Sequence, residues 1–408
     1  MADITFIQVD ADLARLNQYN LALEGFQRLM EGREVVTGPT AMAMRIALED
    51  ADADEKRDSD KGVSGKDLVS GFKKVMITVR NVIQWLLREI GRLVEKLGLG
   101  MQKLGNKKSK AQKKRAAMSE QARSNMGKSE ELVPPGANQQ EEPAAQEAEE
   151  AAPAAAPAEK VNPAFLTING SFVGNDVEAV NNVVKMGTWI NEDFPKMFDA
   201  LLEDAVGLAR SNMRNNSATY FYEALGKSIH KHFVKPKVMF SGQSHTSGHN
   251  DAETINTVPL LGDHGLTMVD PAGSDALNGT NPVELLRKWF IFDFSEYSTK
   301  KDGDVSIPST DFQTMSKLLD LVDKSIESSA SSSKAGAAIM NARADKVNAF
   351  LDELGKLEID SNVPGEIATG LGVIMQRMVK CLVDTQAWYS RTLYQELTYL
   401  SACMDSGN

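Results

Sequence analysis

Apolar residues recur at steps of three and four from Leu68 to Leu97: Leu68, Phe72, Val75, Val79, Val82, Ile83, Leu86, Leu87, Ile90, Leu93, Val94 and Leu97. That spacing places them on one face of an α-helix. The opposite face carries Lys73, Lys74, Arg80, Arg88, Arg92 and Lys96. The apolar pattern then fades into a basic run of Lys103, Lys107, Lys108, Lys110, Lys113, Lys114 and Arg115. An amphipathic cationic helix followed by a polybasic arm suits contact with an anionic partner, either nucleic acid or a phospholipid surface.

Elsewhere the same reading predicts mostly helix. Residues 9–31 form a first helix, broken by the Thr37-Gly38-Pro39 turn, and residues 40–49 form a second with Thr40 as its N-cap. Together they make a helical hairpin. The charged loop from Asp50 to Lys61 begins like a calcium loop, but it has Glu55 where that loop needs Gly and Lys61 where it needs Glu. Residues 129–160, rich in Ala, Glu and Pro, bury too little apolar surface to offset their chain entropy and read as a disordered linker. A domain at 161–408 follows. It opens on the extended Phe165–Phe172 stretch, then helices at 175–190, 192–210 and 219–233. Between about 237 and 303, Gly-rich turns separate short runs (Val238–Phe240, Thr257–Leu261, Leu266–Val269, Leu286–Phe294), which predicts a small antiparallel sheet. Helix returns over 311–355, in two pieces broken near Ser329–Ser333. A last long helix runs from Pro364 or Gly365 to about Met404, with Val373, Met375, Met378, Val379, Leu382, Trp388, Leu393, Leu397 and Leu400 facing inward. The fold class is therefore mainly α with a small β part, α+β. Its four segments are an acidic hairpin (1–60), a cationic helix and arm (61–128), a linker (129–160) and a mostly helical domain (161–408).

Charge sharpens this division. The chain of 408 residues carries a formal net charge of −11, but residues 66–128 alone hold 16 basic and 4 acidic side chains. A basic block inside an acidic chain marks an interaction element. Seven cations between Lys103 and Arg115 with no acid among them exceed what solvation of a helix face requires, since like charges repel. Only Phe72 and Trp85 are aromatic in that block, so the stacking that single-strand recognition uses is missing. The block predicts phosphate binding without sequence reading.

Catalytic patterns are not found. All five histidines lie at His230, His232, His245, His249 and His264. The His245–His249 spacing suits a metal on a helix, but its surroundings are turn-like and no Glu follows the first His. No Gly-x-Ser-x-Gly elbow, phosphate loop or dinucleotide fingerprint occurs. Cys381 and Cys403 fall in one expected helix, 22 residues or about 33 Å apart, too far for a disulfide, which suits a reducing compartment. The segment Met1–Asp12 is acidic and carries no secretory signal pattern. No apolar run reaches membrane-spanning length, the Val79–Leu87 stretch being interrupted by Arg88, Glu89 and Arg92.

The first third of the chain resembles the internal head proteins of large tailed bacteriophages, virion proteins packed with the genome. The likeness rests on Ala22-Leu23-Glu24-Gly25 in the first helix and on the Gly38-Pro39-Thr40-Ala41-Met42 turn into the second. It continues in Gly71-Phe72-Lys73-Lys74 opening a long cationic helix with Trp85 embedded. The resemblance implies a structural virion protein in the capsid interior, made in the host cytoplasm, not an enzyme and without a cofactor. Its implied partners are phage DNA, capsid or other core proteins, and a prohead protease that cuts after small-x-Glu or Leu-x-Glu tripeptides. Ala47-Leu48-Glu49 and Ala22-Leu23-Glu24 match that pattern, making Glu49 the first candidate and Glu24 the second; Ala145-Gln146-Glu147 and Ala148-Glu149-Glu150 match in the linker. The acidic hairpin and the Asp50–Asp60 loop would mask the basic helix until the cut. A membrane-active or secreted effector using helix 68–97, and more remotely a metal-dependent enzyme, are the competing classes.

Overall fold

The computed structural model describes residues 35–36, 63–64, 104–120, 160–215, 217–238, 252–271, 282–296, 305–355 and 363–406. The predicted helices at 9–31, 40–49 and 68–97 and most of the linker lie outside the described residues. In the first third, strands β1 (Val35–Val36) and β2 (Val63–Ser64) pair antiparallel, and α1 spans residues 104–120. Next come the short strands β3 (Thr167–Ile168) and β4 (Ser171–Phe172), then α2 (Val177–Thr188), α3 (Phe194–Asn212) and α4 (Thr219–His232). Strands β5 (Ala252–Asn256) and β6 (His264–Pro271) lead through α5 (Pro282–Trp289) to β7 (Phe292–Glu296). Two 44-residue helices, α6 (Phe312–Gly355) and α7 (Val363–Ser406), complete the domain.

Local chemistry accounts for these elements. The β3–β4 hairpin turns on Asn169 and Gly170, both at positive φ (52° and 75°), the backbone a two-residue Asn-Gly turn requires. Asp176 caps α2 through Glu178 N–H, and Asp311 caps α6 by accepting from Thr314 N–H at 2.9 Å, each satisfying a donor the helix cannot. A π-helical turn, Trp189–Asp193, joins α2 to α3, with Pro195 in the first turn of α3 where its missing N–H costs nothing.

Helices α2, α3 and α6 pack together, and α4 lies on α3. Helix α7 threads between them and the sheet: its inward positions named from the sequence are all buried, and it runs against β7. The sheet is antiparallel in the order β5-β6-β7, with Met268 opposite both Ile255 and Phe292 and Leu266 opposite Phe294. Phe294 meets Trp388 at 5.1 Å between ring centroids, and the Trp388 indole donates to Leu261 O at 2.7 Å.

Three expectations are corrected. Helix α6 is unbroken across Ser329–Ser333. Its serines have partners that make the helix affordable: Ser329 and Ser325 bond the Tyr389 hydroxyl, and Ser328 and Ser332 donate to Glu192. The run Thr257–Leu261 is the turn after β5, not a strand, because Gly262 and Asp263 at positive φ reverse the chain there. The run 286–294 divides into the end of α5 and the start of β7. Its apolar residues are continuous, and periodicity alone does not separate a short buried helix from a strand.

Candidate nucleic-acid interface

The basic run that the apolar pattern leaves as an arm is helical in its described part. Leu104, Ala111 and Met118 stand seven residues apart; the first two are buried and Met118 is partly buried against the core of the domain. A seven-residue apolar repeat is the seam of a helix laid along other helices. Helix α1 thus joins the same hydrophobic core as the residues beyond 160.

The basic side chains flank this seam in two rows. On one side, the Lys107 ammonium donates to Thr398 Oγ1 at 2.8 Å and lies 3.9 Å above the centre of the Tyr394 ring. One heptad on, Lys114 pairs with Asp405 at 2.6 Å. Lys107 to Lys114 and Thr398 to Asp405 advance together, so α1 runs parallel to α7. On the other side, Lys108 pairs with Glu327 at 2.6 Å and approaches Asp323 at 3.9 Å. One heptad on, Arg115 pairs with Asp320 at 2.5 Å and donates to Ser316 at 3.3 Å. Here one number rises while the other falls, so α1 runs antiparallel to α6. Helix α1 fills the groove between the two long helices and is fixed to each by a heptad-spaced pair.

The electrostatics follow from depth. The Asp323 side chain is covered, with Gln112 Nε2 donating to one oxygen while the other has no hydrogen-bond partner. Burial raises its carboxyl above the ordinary range, against the opposing pull of Gln112 and Lys108. Glu327, open to water, is lowered by the hydrogen bond and charge of Lys108. Lys110 and Lys113 face solvent and form no ion pair with another described residue. Of the seven residues expected to touch phosphate, Lys107, Lys108, Lys114 and Arg115 therefore face the domain, Lys110 and Lys113 face out, and Lys103 lies outside the described residues. Glu24, Glu49 and the Asp50–Asp60 loop also lie outside them. The acids that cover the described basic residues of α1 come from α6 and α7. Sequence reasoning missed them, although the Leu104/Ala111/Met118 repeat and the Asp320/Asp323/Glu327 spacing were legible.

The remaining candidates are dispersed. His230 bonds Asp270 at 2.9 Å, and His232 bonds Asp204 at 2.8 Å. His264 stacks on Phe294 with its Nδ1 2.6 Å from Gly262 O, and burial lowers its pKa. His245, His249 and Asp251 lie outside the described residues, and Asp263 accepts from Asn169 N–H instead. Among the described residues no group of three metal-ligating side chains comes together. None of the described helices is long and apolar enough to cross a membrane. Cys381 is buried and Cys403 half-exposed; both lie on the continuous α7 and neither is in a disulfide.

Charge pairing dominates this region, carried by one helix laid along two others. A family model of phiKZ-like phage internal head proteins matches residues 3–402. The chain belongs to that family, and its place is inside the phage capsid. No curated protein and no solved structure matches it.

Proposed function

We propose that this structural protein is packed with the genome, associates with duplex DNA without sequence preference through residues 66–128, and is trimmed by a prohead protease at Glu49, with Glu24 as the second site. It is not an enzyme. The observation that carries the DNA reading is the segregated charge: 16 basic against 4 acidic residues in that segment of an otherwise acidic chain, in a protein whose family resides in the phage head. Lys110 and Lys113, turned to solvent on α1, are available to phosphate. Lysine ammonium groups act as point charges, and the stacking aromatics that would read bases are scarce, which favours backbone contact alone.

Titration of duplex DNA at stepped salt tests this. Counterion release gives log K a slope near −0.9 per phosphate contacted, so an arm of seven cations with most of them engaged predicts roughly −4 to −6. Neutralising Lys107, Lys108, Lys110, Lys113, Lys114 and Arg115 should flatten it. Binding that ignores salt, or that selects a sequence, contradicts the reading.

A further inference from the structure

Three of the six described cations of α1 that would grip phosphate, Lys108, Lys114 and Arg115, already grip carboxylates. We propose that Asp320, Asp323 and Glu327 of α6, with Asp405 of α7, form an internal competitor for DNA, so that α1 exchanges between this acidic cover and the duplex. The inference rests on the DNA reading above and adds its regulation.

The geometry supports competition. Asp320, Asp323 and Glu327 lie along one helical face, at steps of three and four residues, and span about 10 Å at 1.5 Å per residue. They present a row of negative charge facing α1, as a strand of phosphates would. Lys108 and Arg115 are matched to that row at heptad spacing, and Lys114 to Asp405 on the other side. One ammonium cannot satisfy a carboxylate and a phosphate at full strength together, so each cation given to DNA is taken from the cover.

The cover is also built to let go. Three of its carboxylates, Asp320, Glu327 and Asp405, have side chains more than half exposed, where an ion pair is weak and screened by salt. The fourth, Asp323, is buried under α1 with one oxygen lacking a hydrogen bond and 3.9 Å from the Lys108 ammonium, so docking strips it of water and undocking restores it. The apolar seam is thin: Leu104, Ala111 and Met118, with Ala contributing little area. A dense polyanion offering many phosphates at once outcompetes four carboxylates, whereas isolated anions do not.

Carboxyl footprinting of the full-length protein reads the exchange. Carbodiimide-driven labelling of Asp320, Asp323, Glu327 and Asp405 is compared with and without duplex DNA. The expected result is a rise in labelling on adding DNA, largest at Asp323. In parallel, D320N/E327Q/D405N removes exposed members of the cover without touching any cation, and E178Q/E296Q/D345N makes the same change in net charge elsewhere. The first variant binds DNA more tightly than the second, by about tenfold if α1 is docked about nine-tenths of the time in the second and released fully in the first, because apparent affinity scales with the competent fraction. Folding of both is checked by melting. DNA binding with the four carboxylates still protected, or equal affinity of the two variants, overturns the exchange while leaving the DNA reading intact. Failure of every form to bind DNA overturns both.

Discussion

Lys108 reaches Glu327 at 2.6 Å across 219 positions of sequence, and only 10% of its side chain remains exposed against 72% for Glu327. The lysine is therefore the committed partner: it is covered by the domain, while the glutamate is held from one side only. Lys114, 42% exposed, makes the looser contact with Asp405. Lys108→Met should loosen α1 more than Lys114→Met does, since it removes the cation that approaches the covered Asp323 at 3.9 Å and leaves that carboxylate with only Gln112 and the charge of Arg115 to compensate it. Hydrogen exchange of 104–120 in the full-length protein checks the order; equal protection in the two variants contradicts it.

The buried face of α2 makes a second, sharper demand. A Cβ built on Gly187 would run into the Tyr389 ring, whose hydroxyl bonds Ser325 and Ser329. Gly187→Ala should cost about 1–3 kcal/mol, the usual cost of overpacking. Gly207, mid-helix in α3 with nothing within 4 Å of such a Cβ, predicts the opposite sign: Gly207→Ala gains about 0.5–1 kcal/mol. Paired melting curves of the two variants decide the matter.

Glu396 sets a pH dependence. It is 1% exposed, neither carboxyl oxygen has a hydrogen-bond partner, and burial raises its pKa well above the ordinary carboxylate value. The folded state thus keeps a proton that the unfolded chain gives up above about pH 4.5. Stability through this group is greatest below that pH and falls as pH rises toward the folded pKa. Asp323, Asp384 and Glu366, each raised by loss of water around the carboxyl, share the sign, while Asp204, lowered by its partner His232, opposes it at acid pH. Glu396→Met isolates the term. It should raise stability at pH 7 by about 1–3 kcal/mol, the cost of leaving a buried polar group unpaired, and flatten the decline between pH 5 and 7. Parallel pH profiles for the two proteins contradict the assignment.

How much of this was legible follows the strength of local signals. Helix α7 could be read nearly to its ends, because Val373, Met378, Leu382, Leu393 and Leu400 keep its period and all are buried. The boundaries of the sheet could not, since Leu286, Phe290 and Phe292 form one apolar run whichever element holds them. The serines of α6 read as a break because their local preference is for turns; their partners Tyr389 and Glu192 are 60 and 136 residues distant, and no local reading finds them. The same reason hid the cover on α1: charge dominates the composition of 103–115, while its thin apolar repeat and its acids 200 or more residues away decide where it rests.

Processing at Glu49 predicts that the protein from mature particles begins at Asp50, with Gly25 as the start if Glu24 is used instead. Intact mass and N-terminal sequencing read this directly. A chain still beginning at residue 1 or 2 rejects the cut.

The central claim is that this internal head protein holds packaged DNA through its basic segment. Protein–DNA crosslinking inside intact mature particles, followed by peptide mapping, tests it where the contact would exist. The account predicts adducts concentrated in peptides from 66–128, including those that contain Lys110 and Lys113. Adducts absent from that segment, or spread evenly along the chain, would contradict it.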